Sequence, residues 1–123
     1  MRLMLAFLAV LSWLWAPPVL AGEAAIVGAK AERLADGRYR FSVTLRHADT
    51  GWAHYADNWQ VLGSGGAVLG SRELLHPHVG EQPFTRSLCC VRVPAGLRRG
   101  SIRAHDKRHG FAARTRAVDL PGR

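Results

Sequence analysis

The feature that most constrains the fold is a strict alternation of apolar and polar side chains between residues 38 and 47. The apolar side chains fall at every second position: Tyr39, Phe41, Val43 and Leu45. Successive side chains of a β-strand point to opposite faces, so this pattern predicts a strand with one face in a core. After residue 21 no apolar stripe at helical spacing extends beyond about two turns, and the chain is therefore predicted to be all-β.

Six further strand-like runs are separated by turn sequences rich in glycine and proline. They span residues 24–30, 54–62, 67–75, 83–93, 99–105 and 110–120. Seven strands with a tryptophan, Trp59, on the third resemble an immunoglobulin-like or fibronectin type III β-sandwich. The resemblance is one of architecture and implies no activity.

The first 21 residues have the organisation of a secretory signal peptide. Arg2 precedes an apolar run from Leu3 to Ala16, and Ala21 ends a plausible cleavage motif. We predict cleavage after Ala21 and a single domain over residues 22–123. The apolar run is short for a membrane span, although a start-anchor helix is the alternative. The residue directly after the cleavage position is a glycine and not the cysteine of a lipoprotein. The mature protein is therefore predicted to be periplasmic or secreted, without a membrane anchor.

The formal charge of +8 does not by itself identify a partner. The basic residues are dispersed, and an exported protein rarely meets nucleic acid, so a nucleic-acid partner is not expected. The sequence lacks a G-x-S-x-G elbow, an H-E-x-x-H helix and a phosphate-cradling glycine loop. We therefore predict a protein that is not an enzyme, while a redox metalloenzyme built on the histidines stays open.

The six histidines are the main candidates for a functional site. His76 and His78 flank a proline, and in an extended segment they share one side. Glu81 follows as a candidate carboxylate ligand or imidazole partner. Each such pair could equally be two solvated side chains.

The stretch from Arg103 to Gly110 (RAHDKRHG) predicts a hairpin with a three-residue loop, in which Gly110 takes a positive φ. His105 and His109 are then expected to face each other across the hairpin. Asp106 and Asp57 are candidate outer partners of the imidazoles.

In an immunoglobulin-like sandwich all six histidines would lie at one pole, since the loops that bear them share that end. We therefore predict a metal site with six candidate ligands: His54, His76, His78, His105, His109 and Glu81. His47 is a weaker candidate, because it continues the apolar face of its strand and could simply close the core.

The donor set also predicts the metal. No methionine follows Met4, and Cys89 and Cys90 are expected to lie roughly 17 Å from the histidine pole at about 3.3 Å per strand residue. Imidazole and carboxylate favour Cu(II) or Zn(II) over Cu(I). The alternative function is an interaction module that contacts a periplasmic protein or a glycan through the same loops.

The adjacent cysteines form an unusual pair. Side chains alternate along a strand, so one thiol is expected in the core and the other outside. The outer one could link two chains in a disulfide-bonded dimer, whereas a disulfide between Cys89 and Cys90 would require strain.

Two motifs carry a resemblance to known proteins. H-P-H-x-x-E-Q-P-F-T-R-S over residues 76–87 and R-A-H-D-x-x-H-G over residues 103–110 resemble short exported proteins of Gram-negative bacteria whose function is uncharacterised. The resemblance covers roughly residues 44–110 and implies no activity.

Overall fold

The computed structural model describes residues 22–123, and the predicted signal peptide lies outside this range. The described chain forms eight strands and one short 3-10 turn at Ser64–Gly66. The strands are β1 (Ala25–Arg33), β2 (Tyr39–Arg46), β3 (Ala56–Leu62), β4 (Val68–Glu73), β5 (Phe84–Val91), β6 (Arg99–Asp106), β7 (Gly110–Phe111) and β8 (Arg116–Asp119).

The strands form two antiparallel sheets. One has the order β1-β2-β5, and the other has the order β4-β3-β6-β7, with β8 also paired to β6. The predicted all-β architecture with two packed sheets is confirmed. The immunoglobulin-like chain topology stays a prediction.

The core lies between the two sheets and is formed by the alternating residues of the central strands. Phe41 and Leu45 of β2 are fully buried, as are Trp59 of β3 and Ile102 of β6. The alternation of β2 therefore predicted the buried face correctly. Burial of these side chains stabilises the domain by roughly 1.5–3 kcal/mol for each large apolar group.

The last predicted strand is the one that differs from the sequence expectation. The run over residues 110–120 is divided into β7 and β8, which gives eight strands where seven were expected. Both pieces pair with β6, at different positions along it. Ala112 N–H still donates to the Ala104 carbonyl of β6, and residues 113–115 separate the two pieces, so the alternation there did not mark one continuous strand.

The cysteine prediction is corrected by the structure. Cys89 and Cys90 form a disulfide with each other, and no described cysteine is free. The pair lies opposite a register shift, because Tyr39 pairs with Val91 while Phe41 pairs with Leu88. Regular alternation is broken there, so neither cysteine enters the core: Cys89 is exposed and Cys90 half-buried.

The antiparallel order brings the end of β2, the start of β3 and the end of β6 together at one end of the sandwich. Ala56 at the start of β3 pairs with Asp106 at the end of β6. The loop from His47 to Tyr55 joins β2 to β3 at the same place. Within residues 22–123, no helix has the length and apolar character needed to cross a membrane.

Candidate metal centre

Three side chains at this end of the sandwich converge closely enough to hold one metal ion. His47, His54 and Asp106 each offer a ligand atom, and these atoms lie within 4.8 Å of one another. The Nε2 atoms of the two histidines are 3.1 Å apart, and His54 Nε2 is 3.4 Å from Asp106 Oδ1. His47 follows β2, His54 precedes β3 and Asp106 ends β6, so the fold itself assembles the group.

His47 is oriented by a buried carboxylate. Its Nδ1 donates to Asp49 Oδ1, and both side chains are inaccessible to solvent. Asp49 also accepts the backbone N–H of Ala56 at 3.1 Å and that of His78 at 2.7 Å. A carboxylate that holds the outer nitrogen of an imidazole is the usual support of a metal-ligating histidine, because it fixes the ring and its tautomer.

This arrangement places Nε2 of His47 beside two other atoms that can act as acceptors. With the ring proton on Nδ1, the Nε2 of a neutral His47 carries a lone pair. That nitrogen meets His54 Nε2 at 3.1 Å and the carbonyl oxygen of Gly22 at 2.8 Å. Acceptors this close repel each other unless a cation lies between them, and either a proton or a metal ion would satisfy them.

Asp106 supplies the negative charge of the group. The residue is fully buried, yet its Oδ2 has no hydrogen-bond partner in the described part of the chain. Burial alone would raise the pKa of this carboxyl group. The backbone N–H groups of His109 and Arg108 and the ring of His109 outweigh burial and hold the pKa of Asp106 below its usual value. A buried, ionised carboxylate with an uncommitted oxygen is what a cation site requires.

His109 lies beside this group. Its Nδ1 is 3.0 Å from Asp106 Oδ1, and its ring centroid is 5.1 Å from that of His54. Donation from Nδ1 leaves the lone pair on Nε2. We call His47, His54, Asp106 and His109 the histidine centre.

In the loop that contains His76 and His78, the buried His78 ring has no lone pair open to a metal ion. His78 is 2% exposed and stacks on Phe84 with ring centroids 3.9 Å apart. Its Nε2 accepts a hydrogen bond from Arg86 at 2.8 Å. Burial, the Arg86 guanidinium and His76 together lower the pKa of His78, so this ring is neutral at neutral pH.

The same loop supports the histidine centre from outside. The Gln82 side chain accepts the N–H of His47 at 2.9 Å and donates to the carbonyl of His78 at 3.0 Å. Together with the bond from His78 N–H to Asp49, these contacts fix the loop to the end of β2. Through His78 and Gln82, the H-P-H-x-x-E-Q motif therefore holds its loop against His47 and Asp49.

The remaining predicted ligands lie elsewhere. His76 and Glu81 are exposed, and His76 Nδ1 lies 3.1 Å from the Pro77 carbonyl oxygen. His105 donates from Nδ1 to Asp57 at 2.5 Å, as the prediction of Asp57 as an imidazole partner anticipated, and packs edge-on against Phe111. Of the six predicted ligands, the structure brings His54 and His109 together in the centre.

The hairpin prediction needs one correction. Its loop has three residues and Gly110 has a φ of 75°, as expected. However, Asp106 pairs with Gly110 and His105 with Phe111, so His105 and His109 do not face each other. The register is one residue away from the expected one because the Asp106 carboxylate accepts the N–H groups of Arg108 and His109 and thereby closes the turn.

Sequence reasoning gave too little weight to His47 and did not consider Asp49. The sequence makes His47 a weak candidate because the residue continues the apolar face of β2, and that same inward direction is what places it in the centre. The spacing His47-x-Asp49 at the end of a strand was the available signal, because a carboxylate two residues on can reach the ring.

Comparison with known proteins gives one relative. The chain is 42% identical over 97 residues to a protein of Halomicrobium mukohataei named "Putative lipoprotein", a match that covers 79% of this chain and 47% of that protein. The chain thus spans about half the length of the curated relative it matches. No protein-family model and no solved structure matches the chain. The resemblance predicted from the motifs was to Gram-negative proteins, whereas this relative is archaeal.

Proposed function

We propose that the protein binds one divalent transition-metal ion at the histidine centre, with His47, His54 and Asp106 as ligands. The observation that carries this proposal is the contact of two imidazole Nε2 atoms at 3.1 Å beside a buried carboxylate. Ligand nitrogens around one metal, at about 2.0–2.1 Å from it, stand roughly 3–4 Å apart.

The ligand types support Cu(II) or Zn(II). Imidazole suits both ions, and Cu(II) is bound most tightly in the Irving–Williams order. The two thiols of the described chain are joined in a disulfide, and both methionines precede residue 22, so soft ligands that would favour Cu(I) are not at hand. Two histidines and one carboxylate also suit Fe(II), which makes that ion a necessary comparison.

We propose an exported protein that binds its metal without catalysing a reaction. The signal-peptide pattern supports export, and so does the lipoprotein name of the archaeal relative. Two cavities of the described chain have linings without histidine: one is lined by residues 23–27, 112 and 114–116, and another by residues 63, 64, 67, 69 and 94–97.

A second function, an interaction module, is favoured by exposed apolar side chains at the end of the sandwich that holds the histidine centre. Trp52 is 68% exposed, Leu75 73% and Val79 61%. They belong to the two loops that meet where His78 N–H donates to Asp49. Exposed apolar groups of this size are typical of contact surfaces, so a protein partner could dock beside the metal.

Metal analysis of protein purified without a histidine tag tests the main proposal. We expect one equivalent of metal per chain, and titration with Cu(II), Zn(II), Fe(II) and Cu(I) should show a preference for Cu(II) or Zn(II). Affinity should fall from about pH 7.5 to about pH 5.5, because protonated imidazole cannot ligate. Preference for Cu(I), or binding that ignores pH, would contradict a histidine site. An absence of any binding would leave the interaction module.

A further inference from the structure

Gly22 lies directly against the histidine centre. Its carbonyl oxygen is 2.8 Å from His47 Nε2. A Cβ atom at residue 22 would lie 2.7 Å from Cε1 and 3.1 Å from Nε2 of His109, and the φ of Gly22 is +91°. This φ and the close approach to the His109 ring both favour glycine at position 22.

The nitrogen of Gly22 belongs to the same residue as the carbonyl oxygen that contacts His47. Three bonds separate it from the carbonyl oxygen, which limits the distance between the two atoms to about 4 Å. In an unprocessed chain this nitrogen belongs to a peptide bond, whose lone pair is delocalised and which is a poor metal ligand. Cleavage after Ala21 would convert it into a free amine.

We propose that the α-amino nitrogen of Gly22, released by cleavage after Ala21, is a further ligand of the metal bound at the histidine centre. The inference rests on the proposed function and on the predicted cleavage site. An α-amino group has an ordinary pKa of about 7.7–8.0, so it loses its proton to a bound cation readily near neutral pH. The centre then offers the amine together with His47, His54 and Asp106, and removal of the signal peptide completes it.

The inference first requires that the exported protein begin at Gly22. Expression of the full chain with its own signal peptide, followed by N-terminal sequencing and intact mass measurement, determines this. A different first residue would overturn the inference.

The decisive comparison uses two proteins that differ by one residue. One begins at Gly22, and the other carries one additional serine before it; a specific protease releases both from a tag. Both proteins contain the core residues of the described chain, from Ala24 to Leu120, so both are expected to fold, and circular dichroism checks this. Cu(II) affinity is measured by competition with a chelator, and the ligand field by electron paramagnetic resonance.

We expect the added serine to weaken Cu(II) binding at least about tenfold, since even loss of an outer partner costs 10–100-fold. The resonance spectrum should change as well, because one nitrogen ligand is lost. Equal affinities with equal spectra would overturn the role of Gly22 and leave the proposed metal function intact. Failure of both proteins to bind would remove the metal function, and this inference with it.

Discussion

Two regions at the same end of the sandwich each contain neighbouring histidines. The ring nitrogens of these histidines have different partners in the two regions. In the histidine centre, His47 and His54 present their Nε2 atoms to each other at 3.1 Å. In the neighbouring loop, His76 and His78 have ring centroids 4.5 Å apart, but Nε2 of His78 is occupied by Arg86. Proximity of histidines is thus insufficient for a metal site, which requires ring nitrogens that no donor from the protein already fills.

The largest expected effect tests this contrast directly. Replacement of His54 by alanine removes a proposed ligand and should weaken Cu(II) or Zn(II) binding at least about 100-fold, the upper end of the cost of losing an outer partner. The matched variant His76→Ala removes an exposed imidazole from the loop. It should change affinity less than about threefold, within the context-dependence of a surface change. Isothermal titration calorimetry on untagged proteins measures both.

Reversal of that order would contradict the assignment. If His76→Ala lost the metal while His54→Ala kept it, the loop histidines would be the ligands, without His54, which the sequence placed in the same site. Equal losses would indicate one larger site that joins the two regions.

The next effect concerns the buried carboxylate. Asp106→Asn keeps the shape of the side chain and an oxygen for the N–H groups of Arg108 and His109, but it removes the charge. We expect affinity to fall about 10- to 100-fold. Because the pKa of Asp106 is held below its usual value, the carboxylate stays ionised where imidazoles titrate. The loss should therefore be the same factor at about pH 7.5 and about pH 5.5, and a loss confined to one pH would contradict this role.

A smaller effect is expected from the support of His47. Asp49→Asn weakens the bond that fixes the imidazole and should reduce metal affinity about tenfold. Asn offers one acceptor oxygen where Asp49 uses two, so stability should also fall by about 1–3 kcal/mol as a buried N–H loses its partner. Asp57→Asn is the matched control, because Asp57 holds His105 in the same way outside the centre. Unchanged affinity in Asp49→Asn, or equal losses in the two variants, would exclude specific support of His47.

The sequence predicted the fold better than the site, for a physical reason. Burial of Phe41, Val43 and Leu45 on one face of β2 follows from local alternation, which is a property of neighbouring residues. The two-sheet architecture follows from several such strands. The division of the last strand into β7 and β8 depended on where the chain leaves the ladder, which alternation does not report.

The site depended on contacts between residues far apart in the chain. Gln82 bonds to His47 across 35 residues, and His78 N–H bonds to Asp49 across 29. Local spacing singled out the H-P-H loop but could not distinguish a metal ligand from a side chain that supports one. The proposed role of Asp106 as a ligand could not be predicted from local spacing either. It follows from the complete burial of the residue and from its Oδ2, which has no hydrogen-bond partner in the described chain.

The smallest expected effect lies in the loop and appears in stability rather than in binding. The folded-state pKa of His78 is lowered by burial, Arg86 and His76, whereas in the unfolded chain the ring has its ordinary value of about 6.5. Its contribution is fully present above about pH 6.5 and is lost as the pH falls through the folded-state pKa, since the unfolded chain then binds the extra proton. Urea unfolding of the wild type and of His78→Gln, both with a chelator present, compares the two pH profiles.

The glutamine variant removes the titrating group while keeping a polar side chain that can accept from Arg86. We therefore expect its free energy of unfolding to decline less steeply than that of the wild type between about pH 6.5 and about pH 5. His76→Gln is the comparison variant: it removes one cause of the lowered pKa of His78 while burial and Arg86 remain, so it should flatten the slope only in part. Identical slopes for the wild type and His78→Gln would mean that protonation of His78 is tolerated in the folded loop. In that case Arg86 would have to move away from the ring as Nε2 of His78 gains its proton.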